Sequence, residues 1–290
     1  MKRAFLPMRS KLFVPGSRPE LFNKAMTSAA DGISIDLEDA VREEHKAEAR
    51  EAVGSFLRQL VGPQAKVVIV RVNGLMSGHF EKDIWAVTVP GLAVVNLPKV
   101  ESPEDILKAS EALARIERAR ELTTPIGILA NIESPRGLLR ANEIAASDDR
   151  LVGLQIGFGD LFEPLSIDRS NAQARHHVQF MVRMAAGAAG IAAYDGAFPE
   201  VCNSAGFEAE CWQARLLGLA GKSCIHPSQI ASANVAFAPN AAEVSFARRV
   251  LEAWVDAEQR GLGAMVIAGR MVDKPFVDRA RELLAHVSSH

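Results

Sequence analysis

Short apolar runs and helical stretches alternate along most of this chain. Residues 11–15 predict a strand ending in Pro-Gly-Ser, and 19–30 predict a helix. A second strand over 32–37 closes on the acidic cluster Asp36-Leu37-Glu38-Asp39, and 43–60 is a long charged helix of good helix formers. Residues 67–72 are almost purely β-branched. So little polar alternation predicts a parallel strand buried on both faces. Further strands are expected over 92–97, 126–132, 151–156, 191–194 and 222–225, with helices over 80–87, 103–120, 138–146, 172–189 and 207–217. Pro103 and the acids after it suit the first turn of a helix. The spacing predicts eight strands, each followed by a helical segment, over roughly 235 residues, which matches a TIM (β/α)8 barrel. A doubly wound open sheet fits less well, because no G-x-G-x-x-G opens the first helix.

The pattern changes beyond the barrel. We divide the chain into a (β/α)8 barrel over 1–238 and a C-terminal extension over 239–290, part of the same functional unit. The extension reads as a helix over 243–260, a Gly-rich hairpin over 261–273, and a closing helix over 277–287. Lids are commonly drawn from such appendices.

Polar residues collect where the strands stop. Asp36, Glu38 and Asp39 follow the second strand, Arg71 and Asn73 the third, and Lys99 the fourth. Glu133 ends the fifth, Asp160 the sixth, Asp195 the seventh and His226 the eighth. C-terminal strand ends form the catalytic face of a barrel, so several of these side chains are expected near one another. Glu133 and Asp160, on neighbouring strands, are the natural carboxylate pair for a hard divalent cation such as Mg²⁺, which uses few protein ligands. The other reading is that they cap helices or pair with a neighbouring Arg. Arg71 sits in a β-branched run, where a guanidinium needs a partner. It either forks onto a substrate carboxylate or neutralises the acids after the second strand, and both roles can coexist. Asp36, Glu38, Asp39 and Lys99 are expected to support the site from behind, with Asp39 also a candidate cap for the next helix. The alternative for the acids is a solvated turn. His226 is either a base or a hydrogen-bonded structural residue. Arg3, Arg9 and Lys11 either meet an anion or lie on the surface.

Composition narrows the class. With 48% hydrophobic and 23% charged residues in 290, the chain has the makeup of a globular protein with a large core. Aromatics are 6% with one Tyr and the net charge is −2, so nucleic acid and anionic membranes are not expected partners. Three cysteines without C-x-x-C spacing predict neither disulfides nor zinc, and fit reduced thiols in a cytoplasmic protein. No secretory leader and no membrane span is expected.

RSKLFVPGSRPELFNKA, ISIDLEDAV, VRVNG, LPKVES, NIESPRG, the GDL turn and GKSCIHPSQI occur in this order, with GRMVDKP near the end. Together they resemble the citrate lyase β-subunit-like proteins of the HpcH/HpaI aldolase and citrate lyase superfamily. The resemblance implies a TIM barrel assembled as a homotrimer or hexamer, with the C-terminal segment as a lid on a neighbour. It implies Mg²⁺ on Glu133 and Asp160, with Arg71 and Glu133 touching substrate and Asp273 as the lid acid. Implied substrates are CoA thioesters of hydroxy acids, cleaved to a keto acid and an acyl-CoA. Citryl-CoA is the leading expectation. Malyl- or citramalyl-CoA cleavage, thioesterase activity, an aldolase acting on free keto acids, and a non-catalytic CoA-ester-binding paralogue or complex subunit are the alternatives. Two positions depart from the family pattern: Gly159 stands where an acid commonly precedes the metal-binding Asp, and Ala268 where the lid commonly has an acid.

Overall fold

The computed structural model of the chain describes residues 8–60 and 62–287. Arg3 lies outside the described residues. The chain divides into two compact units, 1–237 and 238–290.

In the first unit, eight parallel strands close in sequence order into the expected TIM barrel. They are β1 Ser10–Pro15, β2 Gly32–Asp36, β3 Val67–Arg71, β4 Val94–Leu97, β5 Gly127–Ile132, β6 Leu151–Ile156, β7 Ala192–Asp195 and β8 Gly221–Cys224. The helices of this unit are α1 Phe22–Met26, α2 Lys46–Gln59, α3 Phe80–Val87, α4 Pro103–Ala119, α5 Pro135–Leu139, α6 Ala141–Ala145, α7 Phe158–Phe162, α8 Ala172–Ala189, α9 Ser204–Leu216 and α10 Ile230–Phe237. Every residue of β5 and β6 is buried, which is why these strands read as apolar runs interrupted by one amide each, Asn131 and Gln155.

Local chemistry moves several expected boundaries. The helix expected over 19–30 is one 3₁₀ turn plus α1, stopped where the Thr27 and Ser28 hydroxyls donate back to the carbonyls of Asn23, Lys24 and Ala25. The helix expected over 138–146 starts earlier and breaks at Arg140 into α5 and α6. Ser134 caps α5 by accepting from the Gly137 N–H at 3.1 Å. Gly137 is required there, since a Cβ would lie 2.3 Å from the Val100 carbonyl oxygen. The GFGDL segment, expected as a turn, is the short helix α7.

The register stacks inward-facing positions in layers of four from alternate strands. Starting at Lys11 and advancing one residue at each strand pairing passes through Ile69, Leu129 and Tyr194 and returns to Lys11. The same walk one layer higher gives Ser34, Asn96, Gln155 and Ser223. Above it lie Phe13, Arg71 and Asn131. Side-chain contacts agree: the Lys11 Nζ sits 5.2 Å from the Phe13 ring centroid and 6.0 Å from that of Tyr194. Ile69, Leu129 and Tyr194 share one apolar cluster with Met8, Val94 and Val152.

Between the barrel wall and the helices is a buried ionic network. Lys222 Nζ meets Asp195 at 2.5 Å and Glu210 of α9 at 3.1 Å. Arg169 pairs with Glu210 at 2.7 Å and Arg175 pairs with the same carboxylate at 3.2 Å, while Gln179 donates to Asp195 at 2.9 Å. Although burial opposes it, the bonds from Arg169 and the charge of Lys222 hold the Glu210 carboxyl at about 2.

The second unit contains α11 Ala241–Gln259, an antiparallel hairpin of β9 Ala264–Ile267 and β10 Arg270–Asp273, and α12 Lys274–Val287. Asn240 and Glu243 form a capping box at the start of α11. Trp254, Val250, Val272 and Val277 centre its core. Ala268 and Gly269 make the two-residue turn with φ of +49° and +77°, the backbone of a type I′ hairpin. Asp273, at the end of β10, keeps a buried Oδ1 with no hydrogen-bond partner among the described residues.

Candidate active site at the C-terminal strand ends

Glu133 follows β5 and is only 3% exposed. Its Oε1 accepts from the Lys99 backbone N–H at 2.6 Å, and its Oε2 accepts from Asn131 Nδ2 at 3.2 Å. Asn131 is in turn held by Asn96, whose Nδ2 donates to Asn131 Oδ1 at 2.7 Å. Lys99 adopts φ of +54°, a left-handed backbone uncommon for a side chain of this size, and in that conformation its N–H serves Glu133. Burial pushes the Glu133 carboxyl up to about 7, opposed by the Lys99 N–H and the Arg71 charge and reinforced by the charges of Glu38 and Asp160.

Gly157 makes the position of Glu133 sterically possible. A Cβ at 157 would fall 2.3 Å from Glu133 Oε2 and 2.5 Å from its Cβ. Gly157→Ala is therefore expected to displace the carboxylate and weaken any cation held there by at least tenfold, with loss comparable to removing a hydrogen-bonded support of a ligand. Titration calorimetry of the folded variant with Mg²⁺ checks this, and wild-type affinity would contradict it. Three residues on, Asp160 lies exposed in the first turn of α7. Gly159 is different from Gly157: an added Cβ there meets nothing within 4 Å, so no packing demands the glycine.

Arg71 ends β3 inside a ring of acids. Its Nε and Nη2 donate to the two oxygens of Asp36 at 2.7 and 2.6 Å, and Nη1 donates to Asp39 at 3.3 Å. Nη1 also lies 2.8 Å from Glu38 Oε2, an ion pair without hydrogen-bond alignment. Burial works against the charge, but the bonds and charges of Asp36, with Glu38 and Asp39 behind them, raise its proton affinity further. Asp36 additionally takes the backbone N–H groups of Glu38 and Ala40, each at 3.0 Å, which folds the acidic segment into a turn. Lys99 Nζ pairs with Glu38 at 2.9 Å and is half exposed. A cavity of about 500 Å³ opens beside this cluster, lined by Glu38, Asp39, Asn73, Met76, Pro98 and Lys99 among others.

The expected cluster thus forms from Asp36, Glu38, Asp39, Arg71 and Lys99, with Glu133 and Asp160 within electrostatic reach. Two expected members do not join it. Asp195 points outward into the network with Lys222, because alternation along β7 sends Tyr194 inward instead. His226 is exposed and caps a 3₁₀ turn, accepting from the Ser228 N–H at 3.2 Å. Asp39 binds Arg71 rather than capping the next helix. Arg9 pairs with Asp31 at 2.7 Å, and Lys11 is buried inside the barrel. Cys211 and Cys224 are buried thiols pushed up to about 12 by burial. The sequence reading missed Asn131 and Gly157. A polar residue inside the buried run of β5 was the available signal for the first.

The donor set suits a hard cation. Among the described residues no group of three or more His, Cys, Asp or Glu side chains could hold a metal, which disfavours a tightly caged ion. Mg²⁺ needs only one or two carboxylates and keeps its waters. Glu133 and Asp160 are two carboxylates within electrostatic reach of one another.

Residues 9–227 match the family model described as HpcH/HpaI aldolase/citrate lyase. The chain belongs to the HpcH/HpaI aldolase/citrate lyase family. Among family members, it is 39% identical over 280 residues to the citrate lyase subunit beta of Escherichia coli strain K12, covering 96% of this chain and 92% of that one. It is 33% identical over 299 residues to the L-malyl-CoA/beta-methylmalyl-CoA lyase of Cereibacter sphaeroides strain ATCC 17029, covering 96% and 94%. A CitE protein of Mycobacterium tuberculosis, solved in complex with magnesium, acetoacetate and coenzyme A, superposes with a TM-score of 0.75 at 32% identity, covering 96% and 97%.

Proposed function

We propose that this HpcH/HpaI family member is a Mg²⁺-dependent acyl-CoA carbon–carbon lyase acting on citryl-CoA or a close relative. The observation that carries the reading is Glu133, a buried carboxylate fixed by Lys99 and Asn131 at the strand end, within electrostatic reach of Asp160. The family relatives support it: the citrate lyase subunits, the malyl-CoA lyase, and the CitE structure with magnesium and coenzyme A. A malyl- or citramalyl-CoA substrate is the second reading, supported by the C. sphaeroides enzyme.

Glu133 and Asp160 would hold Mg²⁺, which supplies Lewis-acid stabilisation of negative charge on the substrate oxygens. The remaining work falls to the chain. The Lys99 N–H and the Asn131 amide fix Glu133 so that its ionised oxygens need no reorganisation. Asp36 takes the Nε and Nη2 side of Arg71, so a substrate carboxylate would be oriented at Nη1 by displacing the contacts that Glu38 and Asp39 make there. Cleavage of the carbon–carbon bond leaves an acyl-CoA enolate that needs a proton. We assign that proton to Asp273 on the C-terminal unit of a neighbouring subunit acting as a lid; the hydroxyl proton released as the keto group forms replaces it, so the reaction is proton-neutral. Assembly as a homotrimer or hexamer is part of this proposal. The exposed Phe180, Met181 and Met184 of α8 and Leu216 of α9 offer apolar surface for it.

Glu133 would have to lose the proton that burial favours on it before it could hold the cation. Mg²⁺ affinity is therefore expected to rise about tenfold per pH unit below about 7 and to level off above it. Without the cation the sign reverses: native Glu133 holds a proton that the unfolded chain has lost above 4.5, so stability falls as pH rises from there to about 7. Calorimetric Mg²⁺ titrations across that range test the first statement, and a flat profile would contradict it. A crystal structure with Mg²⁺ and oxaloacetate tests the whole site: both carboxylates on the ion and Arg71 on the keto acid are expected, and an ion bound elsewhere would overturn the reading.

A further inference from the structure

Among the described residues two lysines are buried in the barrel, and of these only Lys222 has ionic partners. Lys11 is 1% exposed and its Nζ has no hydrogen-bond partner among the described residues. It lies between the rings of Phe13 and Tyr194. Burial, followed by the positive charge of Arg71, holds its amine well below the ordinary lysine value. The layer directly above is polar in all four positions, and each member keeps a buried atom without a hydrogen-bond partner among the described residues. These are Ser34 Oγ, Asn96 Oδ1, Gln155 Oε1 and Ser223 Oγ.

Native interiors leave few such groups unmet. Here five share adjacent cross-sections of one barrel, with donors and acceptors facing the same axis. An apolar void stays dry, whereas a polar one offering two to four partners holds water. Asn96 is also the lower end of a direct line to the site, since its Nδ2 serves Asn131 and Asn131 serves Glu133. We propose that ordered water fills the barrel between Lys11 and this polar layer, and that the water joins Asn96 to complete a hydrogen-bonded line positioning Glu133 from below. Lys11 is then a positioning residue: it anchors the water, the water orients the Asn96 amide, and the two amides fix the carboxylate. Only the last step rests on Glu133 as a Mg²⁺ ligand.

The test compares the wild-type chain with Lys11→Met, which keeps the length of the side chain and removes its donors. A crystal structure of the wild type at a resolution showing ordered water is expected to place water within hydrogen-bond distance of Lys11 Nζ and of at least two of the four layer atoms. In Lys11→Met that water is lost, the Mg²⁺ Kd rises about three- to tenfold, and Tm is unchanged or higher because no amine need be buried. A merely structural lysine would instead lower Tm and leave Kd alone. A dry interior in the wild type overturns the proposal, as does an unchanged Kd once the water is gone. If the wild type binds no Mg²⁺, the metal reading fails by itself. The water still decides the chamber, and the position of Glu133 in the two structures decides the line. Should Lys11→Met not fold, Ser223→Ala is expected to fold, lose the water at that position and raise Kd in the same direction. Retained water and affinity in that variant would overturn the proposal.

Discussion

Glu133→Gln is expected to abolish Mg²⁺ binding and to lower lyase turnover by on the order of 10³-fold, since a bound metal supplies several kcal/mol of charge stabilisation. The substitution is nearly isosteric, and one amide oxygen can still accept the Lys99 N–H. Stability should hold or rise, because the wild-type carboxyl is one whose ionisation burial opposes, as its position near 7 indicates. Loss of function with an unchanged Tm would separate this effect from unfolding. Calorimetry with Mg²⁺ and thermal melts of both proteins provide the comparison, and full activity in the variant would sink the metal assignment.

Lys222→Met is expected to do the reverse, costing about 3–5 kcal/mol of stability, the usual penalty for removing one partner of a buried ion pair. Asp195 and Lys222 are both fully buried, and without the ammonium Asp195 keeps only the Gln179 amide. Burial alone would lower the Lys222 proton affinity, but the charges of Asp195 and Glu210 override it and raise it. The ion pairs of the network join the wall to α9 and none of them involves Glu133, so the folded fraction should retain Mg²⁺ affinity. Urea unfolding measures the loss. A midpoint within experimental error of wild type would mean the remaining groups already satisfy Asp195.

These two lysines also show where a sequence stops being readable. The barrel was legible because parallel strands buried on both faces leave apolar runs, and because the second to eighth runs each ended in a charged or polar residue. Glu133, Asp160 and Arg71 stood out on those grounds, and the seven ordered motifs tied them to a family. What a strand pattern conceals is direction. Lys11 and Lys222 both occupy short buried strands, yet the pleat sends one to the barrel axis and the other to the helix layer. Asp195 was misplaced for the same reason. Gly157 was hidden differently: its need appears only when the Glu133 side chain, far away in sequence, is seen filling the space of a Cβ. Asn131 was visible as a polar interruption in β5, but its task depends on Asn96 across the strand pair.

The most direct test of the account is to incubate the full chain with citryl-CoA, malyl-CoA and citramalyl-CoA, each with Mg²⁺ and with chelator, and to assay keto acid and free thiol together. The account predicts keto acid without thiol from at least one thioester, dependent on Mg²⁺ and absent in Glu133→Gln. Thiol release without keto acid, or cleavage that survives the chelator, would contradict it.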